Sequence, residues 1–338
     1  MSRRARVRRI GTVLAGFGTA MALVVGADAS ASADTYVNGG ADTLENVTRM
    51  LTTDYEANVD PNGNAWITVG SGTSRGGVET HKAACEADYG LHGSASRWPG
   101  AEYSATRTLL DQRAHIRENC LDFARVSGAT FHPDSDETSL TWVRVAGDAV
   151  TWATGKAGVP SSLTQGQLQD IYRCNFTDWN QIPGSTASGP IRKYLPAGGY
   201  SDVRAVFIRY ILGFDPTQPA NGPCAATVAD APGENRGDYV TAPGAILPYM
   251  KSAYSAQKNP LSGVPDHTGG FRLGNIDGRV PGQGRTDGSD PNAFVGNHSV
   301  YFVYDPFRGA ANTNTVNFID WAKNPAQRVI WATYGFLP

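Results

Sequence analysis

The pattern of hydrophobic and polar positions between residues 161 and 213 predicts two capped helices joined by a turn-rich segment. In the first helix, Thr164 is placed to act as the N-cap, with a Gln three residues later as its reciprocal partner. Leu168, Ile171 and Tyr172 then repeat at helical spacing, which is typical of one buried stripe. We therefore expect a short amphipathic helix behind Thr164.

The second helix of this segment begins behind a glycine pair and a tyrosine. Ser201 is placed to cap it, and Gly213 stands where a left-handed C-terminal residue is needed. Its apolar positions follow the same spacing: Val203, Val206, Phe207, Tyr210 and Ile211. The start of a helix carries unpaired N–H groups, so this segment is a candidate site for an anion or a polar ligand.

Two segments near the N-terminus each combine a strand, a glycine turn and a helix. A strand at 36–37 leads through a glycine pair to Asp42, which we expect to cap a helix with Glu45 as its capping-box partner. A second strand at 65–69 leads through a glycine-rich loop at 70–77 to another helix. Strands that alternate with helices predict an α/β sheet.

Residues 1–33 have the pattern of a secretory signal peptide. A head with five arginines precedes an apolar, glycine-broken run at 10–27, and Ala31 and Ala33 supply the small residues of a cleavage site. An uncleaved membrane anchor is the alternative, since about 20 apolar residues span a bilayer. No cysteine lies near the cut, so we expect no lipoprotein anchor. The mature protein is predicted to be secreted and extracellular, either released or held to the cell wall by contacts.

The length and charge of the mature chain limit its organisation and its partners. Cleavage of the 338-residue chain removes five Arg and one Asp and leaves a formal net charge of −6. Nucleic-acid binding needs clustered basic residues, so this charge argues against such a partner. About 305 residues suffice for two lobes with separate cores, and we expect a monomer.

The cysteines of an exported chain predict two disulfide bonds. The chain contains Cys85, Cys120, Cys174 and Cys224. Three pairings are possible, and we favour the pairing of neighbours, Cys85 with Cys120 and Cys174 with Cys224, because each bond would then join parts of one lobe. A structural zinc site is the alternative, but no two cysteines have knuckle spacing.

No motif of a metal site or of a known catalytic site is present in the sequence. The six histidines are scattered without paired ligand spacing, and Asp277, Asp287 and Asp290 lack the spacing of a calcium loop. There is no G-x-S-x-G elbow, no P-loop and no assignable Ser-His-Asp set. We therefore predict that the protein is not an enzyme and uses neither a metal nor a cofactor.

Five motifs, two of which consist of a pair of segments, carry in their order a resemblance to a known family. They are GGADTLENV with VGSGTSRGG, LDFARVSG, LTQGQLQDIYRCNFTDWNQI followed by LPAGGYSDVRAVFIRYILG, PGAILPYMKSAY, and FIDWAKNPAQRVIWATYGFLP. Their order resembles the phosphate-binding protein of phosphate ABC transporters and type 2 periplasmic-binding-like proteins generally. The resemblance implies a two-lobed α/β fold with a ligand cleft between the lobes. It assigns residues 34–145 and 268–338 to lobe I and residues 146–267 to lobe II.

The resemblance also implies four ligand loops, in which helix N-termini, hydroxyls, an Arg and a hydrogen-bond-accepting Asp hold the ligand. The matching positions are Gly40, Ala41, Asp42 and Thr43; Ser71, Gly72 and Thr73; Asp122, Arg125 and Ser127; and Gly199, Tyr200, Ser201 and Asp202. Three alternatives stay open: Asp42 as a plain helix cap, Asp202 as a residue outside the site, and Arg125 as a salt-bridge partner that anchors its loop.

The fourth loop departs from the family pattern. A Ser-Gly-Ser-Gly-Thr type of loop is replaced here by Ala-Gly-Gly-Tyr-Ser-Asp, which places Tyr200 and Asp202 at the expected ligand. An ionised carboxylate ~4 Å from a phosphate dianion costs about 4 kcal/mol per unit charge at an effective dielectric of ~20. We therefore expect phosphate to bind more weakly at pH 8 than at pH 5.

Two functions remain after this reading of the sequence. The first is a secreted solute-binding protein that captures a small anionic or polar ligand, such as a phosphate-like oxyanion, for an ABC permease or for sensing. The second is a secreted interaction or scavenging protein on the same scaffold that serves no transporter. The absence of a lipid-anchor cysteine near the cut favours the second, because an importer's receptor needs tethering in a cell without an outer membrane.

Overall fold

The computed structural model describes residues 34–60, 62–70, 102–115, 120–128, 136–197, 201–221 and 224–338. Its strands are β1 (Thr35–Gly40), β2 (Ala65–Thr68), β3 (Phe123–Ser127), β4 (Thr141–Thr154), β5 (Ser162–Leu163), β6 (Arg192–Pro196), β7 (Val228–Ala231), β8 (Ala245–Met250), β9 (Arg272–Leu273), β10 (Asn275–Ile276) and β11 (Asn297–Tyr304). Its α-helices are α1 (Glu45–Asn58), α2 (Glu102–His115), α3 (Gln165–Tyr172), α4 (Asp202–Phe207), α5 (Lys251–Lys258), α6 (Thr313–Ala322) and α7 (Arg328–Thr333). The predicted α/β class is confirmed.

One sheet connects most of these strands in the order β2-β1-β3-β11-β4-β8-β6-β7. The pairs β1–β2 and β1–β3 are parallel, as are β6–β7 and β6–β8. The pairs β3–β11, β4–β11 and β4–β8 are antiparallel. Each group of parallel strands therefore has its carboxyl ends at one edge, which is where ligands bind in α/β sheets.

The long strand β4 joins the two halves of this sheet. Its first part, up to Ala149, pairs with β11, and its last part, from Val150 to Ala153, pairs with β8. Successive segments of one continuous strand thus contribute to both halves, and the buried apolar side chains divide along β4. Val145 and Ala146 pack with the first half.

The apolar cores suggest a change to one predicted lobe boundary. Phe271 packs with buried side chains of β8, and Ile276 and Phe294 pack with those of α3 and α4. The sequence-based boundary assigned all residues from 268 onwards to lobe I. We therefore propose that lobe II extends to about Phe294, so that β11 begins the return to lobe I.

The local signals at the ends of α3 and α4 are confirmed. Thr164 and Gln167 form the reciprocal capping box of α3. Ser201 Oγ accepts a hydrogen bond from the backbone N–H of Arg204 (3.1 Å), and the helical segment that continues past α4 ends at Gly213 with φ of 73°. Because these hydrogen bonds join residues within one turn, the local sequence was sufficient to predict them.

The predicted cap at the start of α1 is wrong. A short 3-10 turn at Asp42–Leu44 precedes α1, and its N-cap is Ala41, without a side-chain cap hydrogen bond. The backbone N–H of Ala41 instead donates to the carbonyl of Arg125 (3.0 Å). A long-range contact with β3 therefore decides where this helical segment begins, and Asp42 is left for another role.

The cysteine pairing is confirmed where the structure describes it. Cys174, just after α3, and Cys224, before β7, form a disulfide bond with their Cα atoms 5.5 Å apart. Cys120 is also disulfide-bonded, and its predicted partner Cys85 lies outside the described residues. Among the described cysteines none is free.

Within the described ranges, no helix combines the length and apolar character required to span a bilayer.

Candidate functional site

The carboxyl ends of β1 and β3 approach each other closely at the sheet edge. Gly40, the last residue of β1, has φ of 119°, and a Cβ atom at this position would lie 2.3 Å from the carbonyl oxygen of Arg125. Only glycine fits this backbone conformation and this spacing without strain. The first and third predicted loops are therefore in direct backbone contact, with Ala41 bonded to Arg125.

Arg125 is a fully buried residue that binds these loops together. Its guanidinium donates to Asn38 Oδ1 (2.6 Å) and to the backbone carbonyls of Asn38 (3.2 Å), Gly40 (3.2 Å), Ala41 (3.4 Å) and Val69 (2.8 Å). Burial lowers its pKa to about 10, and the nearby carboxylates of Glu45 and Asp42 raise it. Acceptors within the chain thus engage every side of the guanidinium, which favours a positioning role over direct ligand contact.

Asp122 lies at the opposite end of β3 from this edge. Its Oδ2 accepts a hydrogen bond from the backbone N–H of Val37 (2.7 Å), and its Oδ1 forms an ion pair with Arg308 (3.3 Å). Ser127 lies five residue steps further along the extended chain, a span of about 16 Å. The structure therefore does not bring Asp122 together with Ser127 at the sheet edge.

Ser127 forms a buried pair with His298. Ser127 Oγ lies 3.3 Å from His298 Nε2, and His298 Nδ1 lies 3.0 Å from the carbonyl oxygen of Gly296. A carbonyl accepts only, so the Nδ1 proton is directed to Gly296, and Nε2 accepts from the serine hydroxyl. Burial lowers the pKa of His298, which keeps the ring neutral, and the carboxylate of Asp148 acts in the opposite direction.

The end of β3 lies against the helix that follows the fourth predicted loop. A Cβ atom on Gly128 would come within 2.7 Å of Val206 Cγ1, and the ring of Tyr210 stacks on His298 at a centroid distance of 5.8 Å. The end of β3 therefore packs against the helical segment that follows the fourth predicted loop.

The start of α4 is occupied by a carboxylate that the sequence analysis did not identify. The Glu234 carboxylate lies near the Ser201 hydroxyl and the backbone N–H groups of Asp202 and Val203, which favour its ionised form. Burial raises the pKa of Glu234 to about 7, and the charge of Asp42 adds to this rise. A carboxylate at this position uses the N–H groups that would otherwise be available to an external anion.

Three acidic residues from different parts of the chain, Asp42, Asp202 and Glu234, thus surround the region where the ends of β1 and β3 approach α4. Asp42 influences the pKa of Glu234, and both Asp42 and Asp202 influence that of Arg125. Asp202 is only 2% exposed. Thr43 Oγ1 is buried and has no hydrogen-bond partner among the described residues. The region is therefore rich in hydrogen-bond acceptors, although no group of the described residues has the composition of a metal site.

The remaining predicted loop residues lie outside the described part of the chain: Ser71, Gly72, Thr73, Gly199 and Tyr200. A Cβ atom on Gly70 would overlap the Glu45 carboxylate. The described start of the second loop therefore lies next to the start of α1.

Comparisons with known proteins identify the fold. No protein-family model matches the chain, and no curated protein matches it. Among solved structures, a phosphate ABC transporter substrate-binding protein from Clostridium perfringens, solved with bound phosphate, is 13% identical, with a TM-score of 0.58 over 90% of this chain and 98% of that one. A phosphate transport receptor from Vibrio cholerae is 13% identical, with a TM-score of 0.56 over 90% and 99% of the two chains.

A phosphate-binding protein from Stenotrophomonas maltophilia is 12% identical and covers 90% of each chain with a TM-score of 0.58. At these identities the likeness shows the fold, which is the two-lobed α/β fold predicted from the motifs. It leaves the ligand of this chain to be argued from its own residues.

Proposed function

We propose that this chain is a secreted solute-binding protein that captures a small anionic or polar ligand between its two lobes, for ABC import or for sensing. The observation that supports the proposal is the contact between the ends of β1 and β3 and the α4 segment. The ends of β1 and β3 contact each other through Gly40 and Arg125, and the end of β3 contacts the α4 segment through Gly128. Binding proteins of this fold hold their ligands where such loops converge.

The chemistry of this region favours a ligand that donates hydrogen bonds. Asp42, Asp202 and Glu234 are acidic, and Ser127 is oriented by His298 to accept. An unprotonated dianion would meet several carboxylates, at a cost of about 4 kcal/mol for each unit charge ~4 Å away. A polyol, or an oxyanion that retains protons, supplies the O–H groups that these acceptors need. We therefore propose phosphate as a ligand only as the monoanion, which carries two protons.

The predicted ligand loops keep their places in this proposal, with one change of role. Residues 40–43, 71–73, 199–202 and Ser127 form the ligand site, and Arg125 positions the loops instead of contacting the ligand. Asp122 supports β1 from the far end of the sheet. If the protein serves transport, we propose that it is a monomer and that its partner is an ABC permease.

The absence of a cysteine near the predicted cleavage site supports a second candidate, a secreted scavenging or interaction protein without a transporter. In that case the ligand site is the same, but no permease is bound. The two candidates differ in the partner and not in the cleft. Cross-linking of the protein to permease subunits on intact cells separates them.

Native mass spectrometry of the protein isolated from culture medium tests the proposal. We expect a single small molecule bound with one-to-one stoichiometry, released by mild unfolding and identifiable by its mass. Protein that carries no ligand, and that is not stabilised against heat by any member of a panel of polyols, amines and oxyanions, would overturn the assignment.

A further inference from the structure

A cavity of about 520 Å³ lies at the amino-terminal end of β6, away from the ligand loops. Its charged lining residues are Lys156, Arg192 and Lys193, and Ser188 and Thr227 contribute hydroxyl groups. No Asp or Glu is among the described residues that line it. The cavity is therefore basic, in a chain whose overall charge is negative.

Lys193 is the unusual member of this group. It is 4% exposed, and its Nζ lies 2.8 Å from Cys174 Sγ and 3.1 Å from Cys224 Sγ, the two sulfur atoms of the disulfide bond. Burial lowers the pKa of Lys193, and no acidic group of the described residues raises it again. A buried ammonium without an anionic partner is costly, and an apolar side chain would serve the packing better.

We propose that this cavity binds the phosphate group of a small organic phosphate, with Lys193, Arg192 and Lys156 as the cationic contacts. The volume lies in the range of small-molecule sites. Arginine presents paired N–H donors to a phosphate, and lysine contributes a compact charge. A bound phosphate supplies the counter-charge that Lys193 lacks.

The cavity is separate from the proposed ligand site. Arg192 and Lys193 lie at the beginning of β6, whereas the chain that leaves the end of β6 leads to Ser201. The proposal does not depend on the function of the cleft, and variants at the two places can be tested independently.

Calorimetric titration of the secreted protein with glycerol 2-phosphate at low ionic strength tests the proposal. We expect one-to-one binding that Lys193→Met weakens about tenfold or more, as for the loss of a charge-assisted hydrogen bond. Arg192→Ala, at an exposed position, should weaken binding in the same direction. Lys323→Met changes the charge equally at the residue after α6, where Lys323 pairs with Asp320 (2.6 Å), and should leave binding unchanged.

Thermal unfolding separates a binding role from a structural one. Because Met fills the site of Lys193 without a buried charge, we expect Lys193→Met to unfold at the same or a higher temperature than the wild type while losing binding. No binding of glycerol 2-phosphate, binding that survives both Lys193→Met and Arg192→Ala, or equally tight binding of citrate would each overturn the proposal.

Discussion

The carboxyl group of Glu234 lies near the hydroxyl of Ser201 and near the first backbone N–H groups of α4, and both favour its ionised form. In the proposed site this is the place where a helix start would receive an anionic ligand. The chain thus supplies its own carboxylate there, and an external oxyanion has to replace it or bind beside it. The protonation of Glu234 becomes the main control on which oxyanions bind.

Substitution of Glu234 should increase the affinity for phosphate. Glu234→Gln keeps the size and one acceptor oxygen but removes the negative charge, so we expect inorganic phosphate to bind at least about tenfold more tightly than to the wild type at pH 8. Calorimetry at pH 8 measures the difference. Asp320→Asn, at an exposed position on α6, is the matched control and should have no effect. Equal affinities of Glu234→Gln and the wild type would show that Glu234 does not oppose the ligand.

The stability of the protein should depend on the titration of Glu234. Its folded pKa of about 7 lies above the ordinary value, so the folded state holds the proton more firmly than the unfolded state does. The resulting stabilisation is fully present below the unfolded pKa of ~4.3 and is lost as the pH rises through about 7. Urea unfolding should show that the wild type loses stability relative to Glu234→Gln when the pH is raised from 5 to 8. A constant difference between the two proteins at both pH values would contradict this.

Replacement of Arg125 should destabilise the protein strongly. Arg125→Ala removes a fully buried guanidinium and leaves the carbonyls of Gly40 and Val69 without these donors. We expect the free energy of unfolding to fall by about 3–5 kcal/mol. Arg49→Ala is the control, because Arg49 is exposed and pairs with Glu45 within α1, so its loss should cost under about 0.5 kcal/mol.

Ligand binding by the same variant tests the positioning role of Arg125. If Arg125 positions the loops, affinity should be restored when Arg125→Ala is stabilised by low temperature or osmolyte. An Arg125→Ala protein with wild-type stability but no affinity would instead identify Arg125 as a direct ligand contact.

The secreted protein should begin at Asp34 and contain no free thiol. The small residues at Ala31 and Ala33 predict the cleavage site, and Cys174 is paired with Cys224. Intact mass with and without alkylation, in the absence of reductant, measures both features. An unprocessed N-terminus, or thiols that alkylate without reduction, would contradict the prediction.

Local sequence was sufficient for the elements whose hydrogen bonds are local. The capping box of Thr164 and the cap at Ser201 join residues three positions apart, and they were predicted correctly. The cap at Asp42 was predicted by the same rule and failed. The backbone of Ala41 is fixed by Arg125, a residue 84 positions further along the chain.

The candidate site was predictable only in outline, for the same physical reason. The motif order placed Ser127 and Ser201 near the ligand, but it gave no sign of His298 or Glu234, whose roles depend on contacts across the sheet. Nothing within a few residues of either differs from an ordinary loop or strand. An acid from a distant loop at a helix start can be found only once the fold has brought it there.

Calorimetric titration of the wild-type protein with inorganic phosphate at pH 5 and pH 8 tests the central claim most directly. At pH 5 phosphate is mainly a monoanion that can donate hydrogen bonds to the acidic side chains, and Glu234 is protonated below its pKa of about 7. We predict measurable one-to-one binding at pH 5 and affinity at least about tenfold weaker at pH 8. Tight binding that does not change between the two pH values would contradict the account of a cleft controlled by Glu234 and Asp202.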